Sequence, residues 1–231
     1  LKHIKEFERF AHEYQNYKII QSRVAKHLVR NTPFRGKRLL DVGAGSGEVY
    51  RNIDWKFENF VALDSSQKML ALHPSAKVRK IVCDFDDPRC WRELGSETFD
   101  LVFSSSALQW SKDLEKAFFR IAKRAPHGAF ALFTSATFAT IHEILGISSP
   151  IYDQDAILAF ASRHFMVDYE IRRYRLFFED TVQMFRYIKR SGVSSGRMRA
   201  PVGDIRRLLR TYPHRYLEFE VVFLWAKSRY F

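Results

Sequence analysis

Three glycines at alternate positions, Gly43, Gly45 and Gly47, follow the apolar run "LLDV" and lead into "EVY". A glycine-rich turn between a strand and a helix lets a ligand approach the backbone, and such turns commonly cradle nucleotides. The dinucleotide fingerprint requires G-x-G-x-x-G, whereas the spacing here is G-x-G-x-G and Glu48 fills the sixth position. Gly43 and Gly45 are expected to admit the ligand and Gly47 to open the following helix. Asp41 ends the run just before them. A carboxylate there would repel a pyrophosphate, and it suits a ligand that carries an amino group. Asp64, in "VALDSSQKML", lies 17 residues beyond Gly47 at the tip of the next strand-like run. An ionised acceptor at that place takes two ribose hydroxyls. Asp84, in "IVCDFDD", follows the third run with Phe85 beside it. A carboxylate there can accept from an adenine amino group while the aromatic ring packs on the base. Each aspartate alone is as well explained as a helix cap. Three at the tips of successive strands, in order, point to a ligand with an amino acid, a ribose and an adenine.

These tips need a parallel sheet behind them. Strand-like runs occur at Leu39–Val42, Phe60–Leu63, Val78–Val82, Leu101–Phe103 and Ala129–Thr134. Helical patterns lie between them near Gly47–Ile53, Gln67–Leu72 and Leu114–Ala125. Strands alternating with helices predict crossovers on both faces of a parallel sheet. Ahead of them, "FERFAHEYQNYKIIQSRVAKHLV" has helical spacing in two pieces. The last third predicts helices at Ala139–Leu145, Gln154–Phe165, Thr181–Arg190 and Asp204–Thr211, and a terminal strand pair at Tyr174–Phe178 and Phe219–Trp225. The whole is read as a single domain, 1–231, with an amino-terminal helical cover (1–36), a ligand-binding core (37–135) and acceptor-side helices with the strand pair (136–231).

The formal net charge of +12 is unevenly spread. Lys18–Arg38 holds seven Lys or Arg and no acid, and Met184–Arg215 holds nine and one Asp. Two such segments suit an acidic partner: nucleic acid, an anionic membrane or an acidic protein. No apolar run approaches the ~18 residues of a membrane span, and "LKHIKEFERF" lacks the apolar core of a signal peptide. Cys83 and Cys90, at C-x6-C spacing, match no common zinc pattern and are expected as reduced thiols in a cytoplasmic protein. Cys83 itself reads as a small hydrophobe. No metal site is expected.

The motifs "LLDVGAGSG", "VALDSSQKML", "CDFDD" and "FDLVFSSSALQW" resemble, in order, the first four motifs of the class I S-adenosylmethionine-dependent methyltransferases. The resemblance covers Arg38–Thr134. It implies an α/β, Rossmann-like fold: a seven-stranded, mostly parallel sheet with an antiparallel last strand, helices on both faces and an N-terminal helical lid. It implies S-adenosylmethionine as methyl donor. By the same resemblance Asp41 and the glycine loop take the methionine and ribose parts. Asp64, with Ser65 beside it, takes the ribose, Met69 and Phe85 the adenine faces, and Asp84 the adenine amino group. Ser104 faces the methyl donor.

"SSSALQW" has no proline, whereas methyltransferases of base amino groups typically carry Asn/Asp-Pro-Pro-aromatic there. Beyond the core, "FERFAHEYQNYKIIQSRVAKHLV", "SATFATIHEI" and "LFFEDTVQMFRYIKRSGV" look like the malonyl-acyl-carrier-protein O-methyltransferase family of the biotin pathway. That resemblance implies a malonyl thioester on an acidic acyl carrier protein as acceptor, and the basic segment Met184–Arg215, with Arg186, Lys189 and Arg190, is a natural dock for such a carrier. For any one of these cations an ordinary solvated helix face is the stronger reading. Tyr14 and Gln21 are candidates for covering the donor, against core packing and a surface position respectively. Trp110 and His142 are candidates for walling the acceptor pocket, against plain packing. Other small-molecule methyltransferases, and an RNA methyltransferase using the basic segments, are the alternatives.

Overall fold

The computed structural model describes residues 18–190 and 202–231. Helix α1 (Ile19–Asn31) buries Ile20, Val24, Ala25, Leu28 and Val29, the one-face spacing of an amphipathic helix. Its Arg23, Lys26 and Arg30 are exposed, so much of the first basic segment is a solvated face. Five parallel strands follow, β1 (Arg38–Val42), β2 (Asn59–Asp64), β3 (Arg79–Val82), β4 (Leu101–Ser105) and β5 (His127–Phe133). Between them run α2 (Glu48–Asn52), α3 (Gln67–Ala71), α4 (Pro88–Glu93), a 3-10 turn at Leu108–Trp110 and α5 (Leu114–Ala122). Then come α6 (Ala139–Leu145), α7 (Gln154–His164), β6 (Phe165–Phe177), α8 (Thr181–Arg190), α9 (Val202–Thr211) and β7 (Tyr216–Ser228).

The seven strands form one sheet in the order β3-β2-β1-β4-β5-β7-β6, and β7 runs antiparallel to both its neighbours. Alternate residues supply two cores. Leu39, Phe103, Ala129 and Phe223 pack with α1 on one face. Leu40, Val102, Phe130 and Leu224 pack with Phe118 and Ile121 of α5 on the other. Burial of both faces explains why the central strands are continuous apolar runs in the sequence. The strand order reverses between β1 and β4, and the crevice beyond the carboxyl ends of such a pair is where ligands of open α/β sheets bind. Asp41 sits there, in register with Ala62 of β2 and Phe103 of β4.

Three expectations need correction. The first strand of the terminal pair was placed at Tyr174–Phe178, but β6 is 13 residues long and begins at Phe165. As an edge strand it is largely exposed, so Asp168, Glu170, Arg172, Arg173 and Arg175 dilute its apolar pattern. Helix α4 was not expected, although Asp87 caps it by accepting from Arg89 N at 2.8 Å and Pro88 starts it. Finally, Cys83 and Cys90 are a disulfide rather than free thiols. The turn from β3 into α4 brings their Cα atoms to 5.4 Å, within the span of such a bond. Among the described residues, no helix is long and apolar enough to cross a membrane.

Candidate functional site

The glycine loop is held from below. Gly43 N and Ala44 N both donate to Leu63 O, at 2.7 and 2.9 Å, and Gly45 N donates to Asp64 Oδ2 at 2.8 Å. Gly43 has φ +76°, and a Cβ there would lie 2.2 Å from the Cβ of Ala107 in the loop after β4. Gly47 has φ +86°, and a Cβ there would meet His73 Cδ2 at 2.6 Å. Both positions combine a left-handed backbone with a neighbour that leaves no room for a side chain. His73 is held at about 4 by burial and by the charge of Lys80, so the group packed on Gly47 is neutral near pH 7.

Around this loop opens a cleft. The loop contributes Gly43, Ala44, Gly45 and Ser46, followed by Glu48. The tip of β2 adds Asp64 and Ser65, and α3 adds Met69, whose N–H is bound by the capping Ser66 Oγ at 3.3 Å. Phe85 comes from the turn after β3, where Trp91 Nε1 and Arg120 Nη1 donate to its carbonyl at 2.7 and 3.1 Å. Ser105, Ser106, Ala107 and Trp110 form the wall beyond β4, and Gln21 of α1 closes the opposite side. Eight of the expected residues are thus brought together: Gln21, Gly43, Gly45, Asp64, Ser65, Met69, Phe85 and Trp110.

The others stand elsewhere. Asp41 is buried beneath the loop. Gly47 caps α2 just behind the wall. Ser104 is fully enclosed, and its hydroxyl donates to Val42 O at 2.7 Å, so Ser105 and Ser106 line the cleft in its place. Asp84 accepts from Asp86 N at 2.9 Å and lines a separate groove with Asp86, Lys112 and Arg120. His142 is half-buried on α6, away from the cleft wall, and burial lowers its pKa against the opposing charge of Glu218. Arg186 is exposed on α8. Tyr14 and the side chains of Lys189 and Arg190 lie outside the described residues. Ala44, Ser46, Glu48, Ser105, Ser106 and Ala107 were missed. Ser106 has φ +61°, a left-handed turn at a non-glycine residue that no local motif announced.

Two carboxylates, the half-buried Asp64 and the buried Asp41, stand in this region in different states. Burial raises the Asp64 pKa, and backbone N–H groups of Ser66, Gly45 and Ser65 hold the rise back. Asp41 has no such relief. Its Oδ2 has no hydrogen-bond partner, and burial, then the charge of Asp64, raise its pKa well above the ordinary value. An orphaned buried carboxylate under a glycine loop fits a ligand bearing an ammonium group. Among the described residues, no group of three His, Cys, Asp or Glu is placed to hold a metal ion.

Because the Asp41 pKa is raised on folding, ionisation weighs against the folded state. Stability is therefore lost as pH rises from the unfolded aspartate range through the raised folded value. Asp41→Asn removes that charge. It is expected to stabilise the ligand-free protein by about 1–3 kcal/mol near pH 8 and by less at pH 5. Urea denaturation at the two pH values checks this; equal gains at both would contradict it.

Residues 40–133 match the family described as "Methyltransferase domain". The malonyl-[acyl-carrier protein] O-methyltransferase of Halorhodospira halophila is 31% identical over 172 residues, covering 69% of this chain and 56% of that protein. The protein of the same name from Chlorobium phaeovibrioides is 28% identical over 207 residues, covering 81% and 78% respectively. The chain thus spans little more than half the length of the first of these relatives. Among solved structures, the YcgJ protein of Bacillus subtilis superposes with a TM-score of 0.65 at 12% identity, covering 90% of this chain and 98% of that one, a likeness of fold. The matched domain contains the glycine loop and the strand tips that surround the cleft. By that match residues 40–133 carry a methyltransferase domain, and the strand order is that of the class I S-adenosylmethionine-dependent methyltransferase fold.

Proposed function

We propose that this chain methylates the free carboxylate of a malonyl group held as a thioester on acyl carrier protein, with S-adenosylmethionine as donor. The supporting observation is a single cleft at the switch point of the sheet. It unites the glycine loop, Asp64 at the tip of β2 and Phe85 beyond β3, with Asp41, whose Oδ2 has no partner, buried beneath the loop. The acceptor is taken from the names of the curated relatives.

In this reading Asp41 receives the amino group of the donor and Asp64 its ribose hydroxyls. Met69 and Phe85 sandwich the adenine, and Gln21 covers it from α1. When bound, the donor supplies a methyl group on a positively charged sulfur. A carboxylic acid titrates near ~4, so a malonyl carboxylate is already ionised at neutral pH and its attack needs no general base. The wall beyond β4, Ser105 to Ala107 with Trp110, has to desolvate and aim that carboxylate. Positioning of this kind can supply roughly 7–11 kcal/mol.

The test is direct. Purified protein with labelled donor is offered malonyl-carrier, malonyl-coenzyme A or total RNA. Label in the malonyl carboxylate is expected, and label in RNA alone overturns the reading. Asp64→Ala is expected to weaken binding of S-adenosylhomocysteine tenfold or more, since hydrogen bonds to a charged group are each worth ~1.5–3 kcal/mol. Calorimetry measures this, and an unchanged dissociation constant would put the donor elsewhere.

The carrier is acidic, and the proposed dock is the basic face that includes Arg186. Charge steering across an exposed surface acts mainly on association and is screened by salt. Replacing Arg186, Lys189 and Arg190 together with Glu is expected to raise the carrier KM several-fold at low salt while kcat and donor affinity stay the same. Steady-state kinetics at two salt concentrations decide it.

A further inference from the structure

One wall of the cleft is fastened by an ion-pair cluster that no donor motif requires. Glu48, the first residue of α2, accepts from Lys18 Nζ, from Ser22 Oγ at 2.6 Å and from Arg51 Nη1 at 2.8 Å. Arg51 Nη1 also donates to Ser46 O, at 2.6 Å, within the glycine loop. Lys18 immediately precedes α1 and Ser22 lies in its first turn, with Gln21 between them in the cleft wall. The Lys18 and Glu48 side chains are only 10% and 17% exposed, so the pair is largely out of water. One carboxylate therefore joins the start of α1, the start of α2 and, through Arg51, the carbonyl side of the glycine loop. The apolar contacts of α1 are spread along its length at Ile20, Val24, Ala25, Leu28 and Val29. They hold the helix on the sheet, while the polar cluster acts on its first turn, where Gln21 is.

We propose that Glu48 is a positioning residue: it clamps the first turn of α1 to the glycine loop and so sets Gln21 against the bound donor. The inference rests on the donor reading above. Removing the carboxylate leaves Lys18 in a largely enclosed site with no counter-charge, which drives that turn away from the wall. The clamp is shielded from solvent, so moderate salt does not dissolve it.

Glu48→Gln, Lys18→Met and the double variant test this, with S-adenosylhomocysteine binding read by calorimetry and backbone motion by amide hydrogen exchange. Each single variant is expected to weaken binding about tenfold, and the double variant no more than either single one. Exchange is expected to speed up in residues 19–24 while β1 and β4 stay protected. Binding by Glu48→Gln as tight as wild type overturns the clamp, as do additive losses in the double variant. A uniform rise in exchange across α1, β1 and β4 also overturns it, because that marks general loosening. If the wild-type protein binds no S-adenosylhomocysteine, the donor reading fails. Exchange in residues 19–24 then decides the clamp alone, with no acceleration in Glu48→Gln overturning it.

Discussion

The carboxylate of Asp64 accepts from Gly45 N and from Ser66 N, each at 2.8 Å. These two bonds join the tip of β2, the glycine loop and the entry to α3 at one point. The loop cannot hold its shape by itself, because Gly43, Gly45 and Gly47 all have positive φ and the chain there makes no regular secondary structure. Gly47 N bonds Ala44 O within the loop, while the amides of Gly43, Ala44 and Gly45 find their partners outside it, on Leu63 and Asp64. The rest of the cleft is assembled against that loop. Ala107 packs on Gly43, Met69 lies 3.6 Å from the Cβ position of Gly45, and His73 closes on Gly47.

The cleft contains or adjoins three carboxylates, each in a different state of satisfaction. Asp64 is satisfied by backbone amides and Glu48 by two cations and a hydroxyl. Burial works to raise the Glu48 pKa, but the hydrogen bonds from Lys18 and Ser22 and the charges of Lys18 and Arg51 together keep the carboxyl below its ordinary range. Asp41 has neither kind of partner for its Oδ2. The fold thus spends its amides and cations on the two carboxylates that shape the walls and leaves the third unsatisfied beneath the loop. A buried carboxylate oxygen left without a partner costs the ligand-free fold stability.

The strand tips were legible because parallel strands buried on both faces are unbroken apolar runs, and β1 runs into Gly43 while β2 ends at Asp64. Orientation beyond the tips was not. Ser104 and Ser105 are adjacent, and only the observed pleat and the left-handed Ser106 decide which of them reaches the cleft. Asp84 was placed at the right tip, yet its carboxylate is taken by Asp86 N and faces another groove. His142 rides on a helix whose entry is turned by Phe138 at φ +60°, a local choice invisible to periodicity. Glu48 stood in view inside the glycine motif, but its partner Lys18 is 30 residues away, and no local pattern announces such a pairing.

Strand β6 pairs with β7 along its whole length and with no other strand among the described residues. Thirteen residues of unpaired backbone edge are an invitation to stack a second copy, which is how sheets grow into aggregates. The exposed Asp168, Arg172, Arg173 and Arg175 stand along that strand, and Arg175 lies over the Tyr216 ring at 4.8 Å. A copy approaching edge to edge would have to bury these charges and bring like against like. The same residues that kept this strand from being recognised therefore act as gatekeepers, ending the sheet at its seventh strand.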